Sequence, residues 1–451
     1  SETEISKNPL RSNSGTVSIM ESSYLHYIEL PLKLGGCWEW YPKSDKERDI
    51  ILNNIYLCFV LFVLTQTAAG LCVYLYTEWK DIMSSLDQIA DFLPLLASLI
   101  IVAYYAIYKR DLYNLIDYLN DNFKYRSARG LTNMTMLRSY ESAKKFAKLY
   151  TACSMFSVIM YATLPVIIHI WTKEPIQSWS YMDVTRSPYL QIAFLNSLLG
   201  QTFLGLSLGQ FGVFFAVNSI LICGQLDLVC CSLRNARYTA MLHRGVRHDA
   251  LVREHQGIVL DERHHYVYNE AVMEPSDYHY DKRIVRLKLN IDIYSSEYEA
   301  GTVEALRECA TMCQVITRYK ESFERFVSPL LVMRVVQVTL YLCTLLYAAT
   351  VKFDTVTVEY LVAVALDIFV YCYYGNQIIA QAERVSSAAY TSAWPCMGLR
   401  ARRVLLNVML ANRRPVLVRA GRFLPMDLHT FVIIIKTSFS YYTLLVNVNE
   451  K

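Results

Sequence analysis

In the last apolar stretch of the chain, Leu428–Asn449, the polar residues Lys436, Ser440, Thr443 and Asn447 recur at steps of 4, 7 and 11 and so share one stripe of a helix. A second stripe, Thr437, Tyr441, Leu444 and Val448, runs beside it. Two readings fit such a pattern. The stripe can be hydrogen-bonding glue between helices. Alternatively it faces water, as the lining of a pore assembled around a symmetry axis, with Leu444 and Val448 as a constriction that gates by dewetting. Ile434, off the stripe, reads as lipid-facing. Two further charges, Arg334 and Asp367, interrupt other apolar runs. Ionisable groups there are costly and pair or serve a function. Asp367 and Lys436 read as paired or reaching a watery vestibule, and Arg334, near the inner end of its run, as snorkelling to the interface.

Other chemistry finds no footing. Gly205, Gly209 and Gly212 make no phosphate loop, because no Lys-Ser/Thr pair follows and the run is uncharged; Gly205 to Gly209 reads as a close helix contact. No triad or zinc-hydrolase spacing stands out, so the chain is not expected to be an enzyme or to carry a cofactor. Cys309 and Cys313 share a helical face without a nearby His pair, which makes a metal site improbable. None of the twelve cysteines falls in a loop assigned below to the outside, so reduced thiols are expected. Six of the nine histidines lie between 243 and 281, irregularly spaced among charges of both signs, as in a solvated, mobile loop. The sequon at Asn133 falls in an inside loop and should be unused.

These residues sit in elements that only a membrane accommodates. The chain has 451 residues, 54% hydrophobic and 19% charged, with mean hydropathy +0.22, too few charges to coat several soluble domains. A net charge of +4 excludes a strongly basic nucleic-acid binder. A spanning helix needs about 20 predominantly apolar residues. Seven runs qualify: 50–76, 92–108, 149–172, 187–226, 326–351, 360–382 and 428–449. The fourth is uncharged for 40 residues, about 60 Å of helix, so part of it must leave the membrane or pack on protein.

Orientation follows from charge in the short loops. Residues 109–148 are net +5 and 377–427 net +6, hence cytoplasmic. The alternate loops 77–88, 172–188 and 352–359 carry −2, 0 and −1. The fold expected is an all-α membrane protein of seven transmembrane helices with a cytoplasmic N-terminus and an extracellular C-terminus. It divides into a cytoplasmic segment 1–49, helices one to four at 50–226, cytoplasmic extensions 227–325, helices five and six at 326–382, an anchor helix and linker at 383–427, and a pore-lining helix at 428–451. Residues 1–15 read as disordered, and the polar first 30 residues offer no signal peptide. Amphipathic patterns at 225–240, 297–325 and 384–412 imply a cytoplasmic anchor bundle, within the chain or between subunits.

From the sixth run onward the sequence resembles the insect odorant receptors. The residues that carry the resemblance are Leu366-Asp367-Ile368-Phe369-Val370-Tyr371-Cys372-Tyr373-Tyr374-Gly375-Asn376, then Val385 with Ala388-Ala389-Tyr390 and Trp394, then 431–445 with Lys436, Ser438, Ser440 and Tyr441. The resemblance implies a ligand-gated, poorly selective cation channel in the plasma membrane of a sensory dendrite. Odorant-tuned subunits would join a shared co-receptor, Orco, in a heterotetramer. Its seventh helix would line the pore, with the gate at Leu444 and Val448, Asn447 at the filter and Ser440 on the lining. The co-receptor has Gln where Asn447 stands, so this chain looks like a tuned subunit. A gustatory-type channel is the alternative, since Ser440-Tyr441 and Asn447-Val448 faintly match that family's ending. A G-protein-coupled receptor conflicts with the charge asymmetry, and a transporter with the lack of internal repeats.

The resemblance also places a small volatile ligand in the outer half of the bundle. On helical faces there lie Phe92, Leu95 and Leu99; Tyr161, Leu164 and Ile168; Phe194, Leu198 and Gln201; and Tyr360 with Val364. Together they suit a mostly apolar molecule, with Tyr161, Gln201 or Tyr360 able to fix its orientation.

Overall fold

The computed structural model describes residues 23–77, 86–172, 189–263, 266–273, 292–351, 355–413 and 416–449. Its helices are α1 (His26–Leu34), α2 (Glu47–Thr77), α3 (Leu86–Ile107), α4 (Lys109–Asn122), α5 (Leu137–Thr172), α6 (Tyr189–His243), α7 (His248–Glu254), α8 (Gln256–Arg263), α9 (Glu299–Val351), α10 (Thr355–Tyr390), α11 (Leu399–Ala411) and α12 (Leu428–Asn449). Each of the seven apolar runs lies within one helix, overrunning it by at most two residues, in the order α2, α3, α5, α6, α9, α10 and α12, and most of these helices extend well beyond their run. Among the described residues, four helices are by themselves long and apolar enough to cross a membrane, and α3 with α4 qualifies as a pair bent by 70°.

The 40-residue uncharged run is explained by position. Helix α6 is the axis of the molecule, packed against α1, α2, α3, α5, α9 and α10, and its apolar window is buried throughout. A helix enclosed on all sides has no polar face to show. Two of its polar residues bond their own helix: the Asn218 amide donates to the Phe214 carbonyl at 2.7 Å and the Ser219 hydroxyl to that of Phe215 at 2.8 Å. Glycines let α5 approach. A Cβ on Gly205 would meet Val158 Cγ2 at 2.4 Å, and the Ser154 hydroxyl donates to the Gly205 carbonyl at 3.2 Å, the close contact expected of small residues.

Several expectations need correction. Residues 109–148 do not form a plain loop: α4 turns sharply away from α3 and buries Leu112, Leu115, Ile116 and Leu119 at helical spacing, and α5 begins twelve residues before its apolar run. The anchor helix at 384–412 is two pieces, since α10 continues to Tyr390 and α11 starts at Leu399. Pro395, which has no N–H to donate, lies between them. The segment 243–281 is partly built: α7 and α8 bury Leu251 and Val259, and His248 Nε2 lies 3.1 Å from the Leu131 carbonyl. Residues 1–15 lie outside the described part, whereas α1 gives 1–49 an unforeseen helix that buries Ile28 and Leu32.

Polar clamps fasten the end of the molecule where α6, α9 and α11 meet. Buried Arg237 on α6 donates to the Ile293 carbonyl from Nε and Nη2 at 2.9 and 2.7 Å, and to Ser295 at 2.6 Å. Glu299 at the start of α9 accepts from the Gly398 N–H at 2.8 Å, capping α11. Asp227 accepts from the backbone of Tyr268 and Asn269 at 2.8 and 3.1 Å, and burial pushes its carboxyl up to about 6. Asn133, the sequon residue, is buried in a two-residue strand paired with 271–272. All twelve cysteines are free thiols. Burial pushes the Cys313 thiol up to about 11, against metal binding, and no metal-ligating cluster occurs among the described residues.

Candidate functional site

A cavity of about 480 Å³ opens where α5, α6, α9 and α10 diverge, with Pro94 of α3 at its edge. That volume lies within the range of sites for small ligands. Helix α5 contributes Leu149, Tyr150, Cys153, Ser154, Ser157 and Val158, while α6 contributes Gln201, Leu204, Gly205, Leu208 and Gly209. The far wall is Arg334, Gln337, Val338 and Tyr341 of α9 with Ala363, Val364, Leu366, Asp367 and Val370 of α10. The glycines on the α6 wall keep Cβ atoms out of the space between α5 and α6.

One end of this mostly apolar cavity is charged. Arg334 pairs directly with Asp367 through Nη2 and donates to Gln337 through Nη1. The Tyr150 hydroxyl donates to the other carboxylate oxygen of Asp367 at 3.0 Å. Arg334 therefore does not snorkel: only 4% exposed, it pairs across the bundle with the carboxylate that α10 presents within reach. The structural pairing expected of Asp367 is found, with Arg334 as partner. Tyr341 and Val364 stand at the opposite end, since Arg334 and Tyr341 are seven residues, about 10 Å, apart on one helix.

Of the ligand candidates, the structure brings Gln201 and Val364 to this cavity. Phe92, Leu95 and Leu99 are not on its lining; they pack with Ala68, Leu71 and Leu204, closing α3 onto α2 and α6. A helical face facing its neighbours and one facing a void look alike in sequence. Phe194 and Leu198 are half-buried and also lie off the lining. Tyr161, Leu164, Ile168 and Tyr360 lie outside the residues whose side chains are described. Sequence reasoning missed Tyr150, Gln337 and Ser157; the signal for the first two was the pair of intramembrane charges, each weighed alone.

On α12, Thr430, Ile434 and Ser438 are buried against α9 and α10, and the Ser438 hydroxyl donates to the Ile434 carbonyl at 2.9 Å. Ile434 is therefore a packing residue, correcting its lipid-facing reading. Lys436, Ser440 and Thr443 are exposed on the opposite face, so among the described residues of the polar stripe none is buried against another helix of this chain. Leu444, Asn447 and Val448 continue the helix but their side chains lie outside the described residues.

The sequence model of the family described as 7tm Odorant receptor matches residues 88–439. Odorant receptor 83a of Drosophila melanogaster is 24% identical over 340 residues, covering 73% of each chain. A second Drosophila melanogaster protein, described as odorant receptor 85e with that function unproven, is 23% identical over 420 residues, 90% of this chain and 87% of its own. The solved structure of the olfactory receptor OR5 from Machilis hrabei superposes with a TM-score of 0.68 at 16% identity, over 96% of this chain and all of that one. Its complex with eugenol superposes at 0.66, over 94% and 99%. These likenesses fix the fold as that of a multi-pass, all-α membrane receptor and exclude an enzyme. With the family match covering most of its length, from the start of α3 into α12, the chain belongs to the insect odorant receptor family.

Proposed function

We propose that this receptor is an odorant-tuned subunit of a heterotetrameric, non-selective cation channel in the plasma membrane, assembled with Orco and opened by a small volatile ligand. The observation that carries the channel reading is the exposed stripe Lys436, Ser440 and Thr443 on the face of α12 turned away from its own bundle. A polar face directed away from the chain's core needs water or other subunits to meet it, and a four-fold pore supplies both. Leu444 and Val448 form the apolar rings of the gate, Asn447 the filter, and Ser440 the lining. The ligand occupies the cavity among α5, α6, α9 and α10, with Gln201 and Val364 on its walls; a structural neighbour is described in complex with eugenol. The N-terminus lies in the cytoplasm and the C-terminus outside, as the loop charges indicate. Coupling between cavity and pore runs through α9 and α10, which line the former and pack on α12.

Patch clamp of cells expressing the chain with and without Orco tests this reading. Odorant-evoked current within milliseconds in outside-out patches, without nucleotide and dependent on Orco, is the expected result. Current that requires intracellular nucleotide, or is independent of Orco, would overturn it.

A further inference from the structure

A second recess lies apart from the cavity among α5, α6, α9 and α10, where the segment joining α1 to α2 closes against the bend between α3 and α4. Trp38, Glu39 and Trp40 of that segment line it, with Asn54 of α2 and with Tyr105 and Lys109 on either side of the bend. It encloses about 50 Å³, room for a few waters or one compact polar group and well below the space a benzene ring needs. Two donors on its wall have no acceptor: the Trp38 Nε1–H, in a side chain 8% exposed, and the Tyr105 hydroxyl, 1% exposed. The turn that carries Trp38 is set by Gly36 at φ +73°, where a Cβ would also meet Val60 Cγ1 at 3.1 Å. An indole nitrogen only donates, so whatever completes the recess must bring an oxygen to it.

The recess sits at a membrane edge. Asn54 is four residues, about 6 Å, inside the apolar run that begins at Ile50, and Tyr105 is three residues from the end of the run at Tyr108. Ile51 and Ile55 beside Asn54, and Ile107 beyond Tyr105, are exposed, a surface for acyl chains. Asn54 is itself exposed among them, an amide that apolar lipid cannot satisfy and a headgroup oxygen can. The charges on the wall cancel: Lys109 donates to one oxygen of Glu39 at 2.8 Å and the Tyr113 hydroxyl to the other at 2.8 Å. Residues 43–49 are balanced too, Lys43, Lys46 and Arg48 against Asp45, Glu47 and Asp49, so the surroundings suit a headgroup without net charge. Trp40 and Tyr56, rings 5.6 Å apart, share the lining and supply the aromatic surface an ammonium seeks. We infer that this recess binds the headgroup of a zwitterionic glycerophospholipid from the adjoining leaflet, cytoplasmic by loop charge, its phosphate accepting from Trp38 and Asn54 and its ammonium against Glu39, Trp40 and Tyr56. The bound lipid joins the α1–α2 segment to the α3–α4 bend.

The test is native mass spectrometry of the full chain in detergent, titrated with phosphatidylcholine or with phosphatidylglycerol of the same acyl chains. Glycerophosphocholine, the headgroup without chains, serves as a soluble competitor. The wild type should retain one phosphatidylcholine saturably, about tenfold or more tighter than phosphatidylglycerol, and soluble headgroup should not displace it. Trp38→Phe keeps a ring and loses the N–H; Asn54→Leu changes an exposed side chain and leaves the packing alone. Each should weaken that tightest site about tenfold, the scale of one hydrogen bond to a charged group, with an unchanged unfolding midpoint in lipid-free detergent. Trp394→Phe, at the remote junction of α10 and α11, should change nothing. If Trp38→Phe fails to fold, Asn54→Leu decides alone. Undiminished binding in a folded variant overturns the inference, as does phosphatidylglycerol bound as tightly as phosphatidylcholine. Displacement by glycerophosphocholine would make the ligand a soluble phosphodiester, and no retained lipid would leave the recess to water; either result overturns it as well.

Discussion

At the scale of single residues, the Arg334–Asp367 pair shows why an isolated charge in an apolar run is informative and incomplete. The sequence displays both charges and the physical cost of leaving either alone in lipid, yet it does not show that they meet, because their contact joins α9 to α10 across a bundle. Arg334→Met alone should therefore be worse than the double replacement: it strands a buried carboxylate and should cost about 3–5 kcal/mol, read as a lower midpoint of thermal unfolding in detergent that Asp367→Leu restores. Asp227 offers a second, independent check outside the spans. Burial holds its folded carboxyl near 6, above its ordinary 3.8, so the favourable contribution is complete below about pH 3.8 and is lost as pH rises through 6. Asp227→Asn keeps an oxygen for the Tyr268 and Asn269 N–H groups and removes the titration. The variant should gain on the wild type by up to about 3 kcal/mol between pH 4 and pH 7, visible as a growing difference in unfolding midpoint. A constant difference would show that Asp227 is not desolvated.

Elements were legible where hydrophobicity alone decides them. Seven long apolar runs located seven helices, and the amphipathic patterns at 225–240 and 297–325 correctly extended α6 and α9 beyond their apolar parts. What depends on contact with another element was hidden. The bend between α3 and α4, the break before α11 and the helices within 243–263 are set by surfaces that sequence periodicity does not name. The same holds for the cavity: its walls use ordinary apolar residues, and only the charges distinguished it. Gly375 on α10 makes an element-scale prediction. A Cβ there would lie 2.0 Å from the Met426 carbonyl oxygen, in the backbone that leads into α12. Gly375→Ala should push α12 off α10 and sharply reduce surface expression. On α12 itself, Leu444→Ser and Val448→Ser should wet the constriction and raise basal current or alter ion selectivity, damped by the partner subunits' share of each ring. Wild-type basal current, odorant response and relative permeability in both, at matched surface expression, would return the stripe to packing between subunits.

At the scale of the whole molecule, the proposed function joins an orientation, a cavity and a pore. The orientation rests on loop charge, and an epitope after Lys451 should stain on intact cells; staining only after permeabilisation would invert the topology. The joint claim is that a small molecule in the space among α5, α6, α9 and α10 opens a pore along α12. Its most direct test is the odorant concentration dependence of current in outside-out patches containing either the wild-type chain or Ser157→Trp, each expressed with Orco at matched surface density. Ser157 lies on the cavity wall contributed by α5, outside the helix proposed to line the pore, and Trp there fills the cavity. The account predicts millisecond odorant currents from the wild type and a loss of odorant sensitivity of at least about tenfold in the filled variant, the scale of one good contact, with basal current preserved. An unchanged dose–response curve in Ser157→Trp would contradict it.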